Sequence, residues 1–194
     1  MKIAVYGGAA PKSGEPAYEE ARQLGFLLAK AGHTVMTGGY IGIMEAASRG
    51  ANEAGGHVIG STCTQLEEWR KVKVNAWVKE EWQYPTLRER MYALIDSCDA
   101  AIMMPGGVGT LAELAVMWNE EIISMKTPRV MVLVGEGWQK TISIFLEEFG
   151  YYLHLPDQKR VFFAEDIHSA VAIITQFDQE KQDLISTSGH HNGK

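Results

Sequence analysis

The sequence predicts an α/β fold: an open, mostly parallel sheet with helices on both faces. Short apolar stretches of strand length alternate with amphipathic helical stretches, which is the pattern of β-α-β units. Glycine-rich turns follow several predicted strands, at the edge where open α/β sheets bind ligands. The 194 residues, 46% hydrophobic and 22% charged, predict one globular domain over residues 1–178 and a polar tail without regular structure over residues 179–194.

The first third of the chain gives three strands separated by two helices. The first helix has Pro16 near its start, where a missing N–H group is tolerated, and Gly32 after its last apolar residue. The second helix ends at the pair Gly55-Gly56. We therefore expect strands at residues 2–6, 34–37 and 57–60.

The next segment, residues 64–83, has no single periodicity. Val72, Val74 and Ala76 alternate as in a strand, but three tryptophans are mixed with charged residues around them. We interpret this segment as a connecting excursion. A helix over residues 85–98 follows it, because the apolar residues there recur at helical spacing.

The remaining elements continue the alternation of strands and helices. An apolar strand over residues 99–104 ends at a proline and glycine turn, and from Thr110 onward the apolar residues have helical spacing. Beyond that helix we expect strands at residues 129–134 and 161–163 and helices at residues 137–149 and 166–177.

The turn in the middle of the chain is typical of a phosphate-binding loop. Its glycines let a ligand approach the backbone, and the N–H groups of the following helical turn direct the positive end of the helix at an anion. Three glycines and a threonine in five residues are more than a simple turn requires. The candidate phosphate-binding residues are Gly106, Gly107, Val108, Gly109 and Thr110.

Two charged residues are candidates for chemistry beside this loop. Glu113 lies one turn into the helix, where it either complements the helix dipole or faces a part of the ligand away from the phosphate. Arg90 lies about 60° off the edge of the apolar stripe of the preceding helix, so its guanidinium is either solvated or reaches sideways into the site.

Composition excludes several classes of function. A net charge of −6 without a run of Lys or Arg argues against nucleic acid, and no apolar run approaches the roughly 18 residues of a membrane span. Cys63 and Cys98 form no C-x-x-C motif, so we expect no thiol redox or zinc site and a reducing, cytoplasmic setting. The histidines have no metal-binding spacing, and we expect no metal.

The helix after the glycine loop carries apolar residues on two sides, and a helix of this kind is usually buried on two sides. In a chain of this length a second subunit supplies the second cover, so we expect a homodimer with the site near its interface. The side expected to face the sheet comprises Leu111, Leu114, Ala115, Trp118 and Ile122. The second side, next to Glu113, comprises Val116, Met117 and Ile123.

An alternative interpretation is a dinucleotide-binding oxidoreductase. Residues 107–112 satisfy G-x-G-x-x-A after a strand, and Glu136 stands about 24 residues beyond Ala112, as a nicotinamide or flavin site requires. Against it, the earlier β-α units precede the motif, and too little chain follows for a second nucleotide-binding half.

The stretch P-G-G-V-G-T-L-A-E at residues 105–113 resembles the P-G-G-x-G-T-x-x-E signature of the LONELY GUY family of phosphoribohydrolases. The resemblance runs from Lys2 to about Phe177. It implies a Rossmann-like fold, a dimer and no metal or other cofactor. It also implies cleavage of a small-molecule nucleotide, classically a cytokinin riboside 5′-monophosphate, into free base and ribose 5-phosphate, with Arg90 and Glu113 as the catalytic pair.

The same resemblance implies further substrate-binding positions and shows departures from the family. Gly8 and Gly39 fall in the family's first and second glycine turns, and Met91 stands where members usually carry a lysine. Alanines at positions 9, 10 and 112 replace polar residues of the family. Since the family's fold also includes a non-catalytic carrier of the molybdenum cofactor, binding without turnover is a second alternative.

Overall fold

The structure, a computed structural model, describes residues 1–124 and 129–188, with side chains as far as residue 183. Its seven strands are β1 (Lys2–Tyr6), β2 (Thr34–Thr37), β3 (Val58–Cys63), β4 (Glu80–Tyr84), β5 (Ala100–Met103), β6 (Val130–Val134) and β7 (Val161–Ala164). They form one sheet in the order β4-β3-β2-β1-β5-β6-β7, and every neighbouring pair is parallel.

The helices cover both faces of this sheet, which confirms the predicted fold class. They are α1 (Pro16–Lys30), α2 (Ile43–Glu53), α3 (Thr64–Arg70), α4 (Leu87–Ser97), α5 (Val108–Ile123), α6 (Glu136–Phe149), α7 (Leu155–Gln158) and α8 (Ile167–Ser188), with a 3₁₀ turn at Gly150–Tyr152. Alternate residues of β1 point to opposite faces. Ile3 and Val5 join a core with α1, α2 and α8, whereas Ala4 and Tyr6 join a second core with α4, α5 and α6.

The segment at residues 64–83 differs from its prediction. It begins with α3, and the alternation around Val74 is not a strand; the strand is β4, which pairs with β3 at the edge of the sheet. Because its residues are exposed or half-buried, β4 lacks the apolar run by which the other strands were predicted. Asn75 holds the preceding stretch against the sheet: its backbone N–H donates to Gly39 O at 2.8 Å and its side chain to Tyr40 O at 2.9 Å.

The buried face of α5 is also rotated from its prediction. Met117 is fully buried in the second core, whereas Leu111 is 44% exposed and Ala115 is exposed. Two acids share the buried face, because Glu113 meets Arg90 and Glu121 meets Arg129. A stripe counted from apolar residues alone could not include them. The complete buried face comprises Thr110, Glu113, Leu114, Met117, Trp118 and Glu121.

The last helix is longer than predicted. It continues from Ile167 through Ser188, so the expectation of an unstructured tail is wrong for residues 179–188, while residues 189–194 lie outside the described part of the chain. Lys181 Nζ lies 3.0 Å from Oδ1 of Asp99, the residue before β5, and this ion pair attaches the polar end of the helix to the sheet. None of the helices described is both long and apolar enough to cross a bilayer.

Candidate active site

A cavity of about 370 Å³ opens at the carboxyl edge of the sheet. Its lining comes from the ends of β1 and β2, the first turn of α5, and residues of α3 and α4. Among the residues around it are Gly8, Tyr40, Arg90, Val108, Thr110 and Glu113. The topology therefore brings residues predicted from separate motifs to a single concave site.

The glycine loop begins α5 and faces the cavity. Gly107 is the N-cap and accepts the N–H of Leu111 at 3.0 Å, so the N–H groups of the first turn have no acceptor within the helix. A Cβ atom at Gly106 would overlap the Thr110 hydroxyl, which explains the glycine there. Gly8 donates its N–H to Pro105 O at 3.0 Å and thereby joins the two glycine turns.

A buried indole supports the loop from behind. Trp138 of α6 is 6% exposed, and its Nε1–H donates to Met104 O at 3.0 Å, one residue before Pro105. This bond satisfies a backbone carbonyl at the point where the strand ends and the loop begins. The position of the loop is therefore coupled to the packing of α6.

Arg90 and Glu113 meet inside the cavity, although 23 residues separate them in sequence. Arg90 Nη1 lies 3.4 Å from Glu113 Oε1, and the two residues are 6% and 8% exposed. The sequence left two alternatives for Arg90, a solvated position and a position in the site. The structure shows that Arg90 lies in the site.

The guanidinium of Arg90 is held on several sides. Its Nε–H donates to Ser61 O at 2.9 Å, its Nη2 lies 3.7 Å from Met44 Sδ, and its central carbon lies 5.9 Å from the Tyr40 ring centroid. A Cβ atom at Gly38 would overlap the guanidinium, so only glycine leaves room for it at that position. The fixed, planar orientation suits Arg90 to hold a carboxylate.

The helix that carries Arg90 begins with a capping box. Thr86 Oγ1 accepts the N–H of Glu89 at 3.2 Å, and the Glu89 carboxylate accepts the N–H of Thr86 at 3.1 Å. Because Arg90 is in the first turn, its N–H also reaches Thr86 O at 3.1 Å. The start of α4, and with it the base of the arginine side chain, is well defined.

Burial raises the pKa of Glu113 to about 7, because removing a carboxylate from water disfavours its charged form. Arg90 acts in the opposite direction through its charge and its hydrogen bond, but it offsets only part of the effect. A carboxyl group with this pKa can exchange a proton near neutral pH.

The other predicted positions have mixed outcomes. Gly8, Gly107, Val108, Gly109 and Thr110 line the cavity. Gly39 lies in the turn beside it with a φ of 77°, but the lining residues there are its neighbours. Met91 does not line the cavity, because its half-buried side chain packs against the second core.

Sequence reasoning missed the residues that hold Arg90 and the lining residues contributed by α3. Tyr40 falls within a stretch interpreted only as a glycine turn, and Ser61 contributes a backbone carbonyl that no side-chain pattern could reveal. Leu66 and Arg70 belong to the segment without clear periodicity. The available signal was an aromatic residue, Tyr40, within a turn that contains Gly39 and Gly42.

Two other kinds of site find little support in the described residues. They contain no group of three or more His, Cys, Asp or Glu side chains that could hold a metal ion. Glu136, the acid of the dinucleotide interpretation, lies in the first turn of α6, where it pairs with Lys140 at 2.6 Å and does not line the cavity.

The parallel sheet, with glycine turns that line a cavity at its carboxyl edge, defines the class of Rossmann-like α/β proteins. Residues 1–147 match the model of the SLOG cluster4 family, and the chain belongs to that family.

Similar proteins are consistent with this assignment. A Mycobacterium marinum protein named cytokinin riboside 5′-monophosphate phosphoribohydrolase is 33% identical over 147 residues, covering 75% of this chain and 77% of the relative. A protein of the same name from Mycobacterium tuberculosis is 34% identical over 132 residues, covering 67% and 69%. These relatives confirm the resemblance to the LONELY GUY family and support membership of a nucleotide phosphoribohydrolase family.

A solved structure supports the fold. The molybdenum cofactor binding protein of Rippkaea orientalis superposes with a TM-score of 0.70 at 24% identity, covering 91% of this chain and 96% of that protein. At this identity the likeness extends to the architecture alone.

Proposed function

We propose that this protein hydrolyses the N-glycosidic bond of a nucleoside 5′-monophosphate and releases the free base and ribose 5-phosphate. The observation that carries the proposal is the buried Arg90–Glu113 pair, which shares one cavity with the glycine loop. A cytokinin riboside monophosphate or another AMP-like nucleotide is the expected kind of substrate, as the names of the relatives suggest.

In this proposal the phosphate and the ribose of the ligand contact different parts of the site. The loop N–H groups and Thr110 bind the phosphate, as the positive end of a helix favours an anion. Glu113 lies three residues further along α5, about 4–5 Å along the helix axis. The carboxylate therefore faces the ribose and not the phosphate, which removes the repulsion expected if both acted at one point.

Hydrolysis of this bond passes through a state in which positive charge grows at C1′. An ionised Glu113 stabilises that charge and accepts a proton from the attacking water. The C1′–N bond breaks with its electron pair going to the base, the water oxygen bonds to C1′, and the base takes up a proton. Arg90 orients the carboxylate and favours its ionised form.

The test is an assay of ribose 5-phosphate release from a panel of purine and cytokinin monophosphates. We expect Glu113→Gln to reduce release at least about a hundredfold, as loss of a general base does, while calorimetry shows retained nucleotide binding. Glu120→Gln is the matched control, because Glu120 lies on the same helix and pairs with Arg129 outside the cavity. Unchanged turnover in Glu113→Gln would contradict the proposed role, and binding by the wild type without turnover would favour a carrier.

We also propose a homodimer formed through an apolar groove between α5 and α6, which we call the α5–α6 groove. The first turn of α5 also lines the active-site cavity, so the groove lies next to the site. The groove is apolar, and Leu111 and Phe145 on it are 44% and 41% exposed. A second copy is the proposed occupant, because Leu111 follows Thr110 directly and pairing of two copies would shield both sites. The groove comprises Leu111, Leu114, Ala115, Trp118, Asn119, Ile122, Ile142, Phe145 and Leu153.

A cytoplasmic setting belongs to the same proposal. Cys63 and Cys98 are both buried and free, which fits a reducing compartment.

A further inference from the structure

Tyr40 lies in the turn after β2, lines the cavity and packs beside Arg90. The residue is 4% exposed, and the central carbon of the Arg90 guanidinium lies 5.9 Å from the centroid of its ring. A guanidinium over an aromatic ring is attracted by the negative charge of the ring face, and the attraction grows when both groups are removed from water. The ring is therefore one of the surfaces that hold the arginine.

The Tyr40 ring is itself anchored at both ends. Its hydroxyl accepts the N–H of Cys63 at 2.7 Å and lies 3.0 Å from Cys63 O and 3.3 Å from Glu67 Oε1. Its backbone carbonyl accepts a side-chain N–H of Asn75 at 2.9 Å. Because the backbone and the hydroxyl are both fixed, the ring cannot turn away from Arg90 without breaking these bonds.

The other contacts of Arg90 fix the base of its side chain better than the end that meets Glu113. Ser61 O accepts the Nε–H at 2.9 Å, and the Ser61 hydroxyl donates to Arg90 O at 3.1 Å. At the far end, Nη1 lies 3.4 Å from Glu113 Oε1, and Nη2 lies 3.7 Å from the sulfur of Met44, which is a weak acceptor. The orientation of this end therefore depends on the Tyr40 ring.

We propose that Tyr40 is a positioning residue for the Arg90–Glu113 pair, and that the face of its ring holds the guanidinium against the carboxylate. A guanidinium released from the ring lies less often beside the carboxylate, so Glu113 binds a proton more readily. This inference deepens the proposed function and rests on it, because the ionised form of Glu113 is the one proposed to act at the ribose.

The titratable groups around the pair make the effect of the ring measurable. Burial is the main influence on the pKa of Glu113 and raises it, and the charge of Arg90 lowers it. Burial also raises the pKa of Tyr40 to about 12 and that of Tyr6, at the end of β1, well above its ordinary value. Both phenols stay uncharged near neutral pH. A change in the pKa of Glu113 after substitution of Tyr40 therefore reports on Arg90 and not on a lost charge.

The experiment compares Tyr40→Leu, which removes the ring, with Tyr40→Phe, which keeps the ring and removes the hydroxyl. The pH dependence of kcat/KM for release of ribose 5-phosphate gives one measure of the pKa of Glu113. Carbon-13 NMR titration of its carboxyl group, assigned by the signal missing in Glu113→Gln, gives a second measure that needs no activity.

We expect Tyr40→Leu to raise the pKa of Glu113 by about one pH unit, so that kcat/KM falls about tenfold at about pH 6 and little at about pH 9. We expect Tyr40→Phe to leave this pKa unchanged, although it lowers the stability of the fold because the buried N–H of Cys63 loses its acceptor. A merely structural role of Tyr40 would lower stability in both variants without moving the pKa.

Tyr18→Leu is the matched control. Tyr18 is 1% exposed and its hydroxyl donates to Glu45 at 3.1 Å, but it belongs to the first core and does not line the cavity. We expect this variant to lose stability and to keep the pKa of Glu113. If Tyr40→Leu does not fold, phenylalanine analogues with increasing numbers of ring fluorines take its place, because fluorine withdraws negative charge from the ring face. The pKa of Glu113 should then rise with the number of fluorines.

The outcomes separate this inference from the proposed function. A pKa of Glu113 that stays unchanged in Tyr40→Leu, or along the fluorinated series, would overturn the role of the ring. An equal rise in Tyr40→Phe would assign the effect to the hydroxyl and would overturn it as well. If the wild type releases no ribose 5-phosphate from any nucleotide, the proposed hydrolysis fails, and the NMR titration still decides whether Tyr40 positions Arg90.

Discussion

The contact between Arg90 and Glu113 joins two charges that are almost completely removed from water, and its length of 3.4 Å limits what each gains from the other. Burial therefore has the larger effect on Glu113 and raises its pKa to about 7. Removing one member of such a pair leaves the other charge buried without compensation. The site thus holds an acid that is only partly ionised at neutral pH, which suits proton exchange with a bound water.

The raised pKa of Glu113 predicts a pH dependence of activity. Below pH 7 the carboxyl is increasingly protonated and cannot accept a proton, so kcat/KM should fall about tenfold for each unit of acidification well below that value and level off above it. The measurement is kcat/KM for release of ribose 5-phosphate between about pH 5 and about pH 9, with the fold monitored by circular dichroism. A fall in kcat/KM centred near pH 4.5, the ordinary pKa of a glutamate, would show that burial does not raise the pKa of Glu113.

The glycine loop, Glu113 and Arg90 could be predicted from the sequence, because each belongs to a local motif with a recognisable residue pattern. The sequence could not supply the contacts that fix Arg90. One is a backbone carbonyl, of Ser61, and another is the space left by the missing side chain of Gly38. Contacts of this kind depend on which strands become neighbours, and no local pattern encodes them.

Among the elements, α4 and α5 carry the catalytic candidates, and both depart from a simple amphipathic pattern. Each buries a charged residue on its inner face, so a stripe of apolar residues alone gives the wrong rotation for α5. The edge strand β4 was missed for the opposite reason. Its side chains are exposed or half-buried, so it does not need an apolar sequence. The inner strands, buried on both faces, were predictable as nearly continuous apolar runs.

The capping box of α4 predicts a measurable contribution to stability. Thr86→Ala removes the acceptor for the Glu89 N–H, and we expect the free energy of unfolding to fall by about 1 kcal/mol. Urea titration followed by circular dichroism measures the change. Thr86→Ser keeps the hydroxyl and should retain most of the stability, whereas an equal loss in both variants would mean that the methyl group of Thr86 and not the cap is responsible.

For the molecule as a whole, every strand runs in the same direction, so all strand ends that bear glycine turns meet at one edge. That arrangement follows from the alternation of strands and helices and was predictable from sequence. The order of the strands was not, because it is set by crossover connections that the local pattern does not specify. The position of α3 relative to the glycine loop depends on that order, because α3 follows β3 and the loop follows β5.

The α5–α6 groove predicts the assembly state. Light scattering of the wild type should give about 43 kDa, twice the 21.5 kDa of the chain. Leu111→Glu places a charge in the groove and should shift the protein to the monomer, with at least a tenfold weaker dimer constant, since burying an unpaired carboxylate costs more than about 1.4 kcal/mol. Ile144→Glu is the control, because Ile144 is 60% exposed on α6 but lies outside the groove. A wild type that remains a monomer at high concentration would contradict the proposal.

The bond from the Trp138 indole to Met104 O has a practical consequence. Indole emission depends on the local electric field, and this ring is anchored one residue before the loop proposed to receive an anion. Occupation of the loop would change that field, so the protein carries an optical reporter of its own and titrations can be followed by intrinsic fluorescence without a dye.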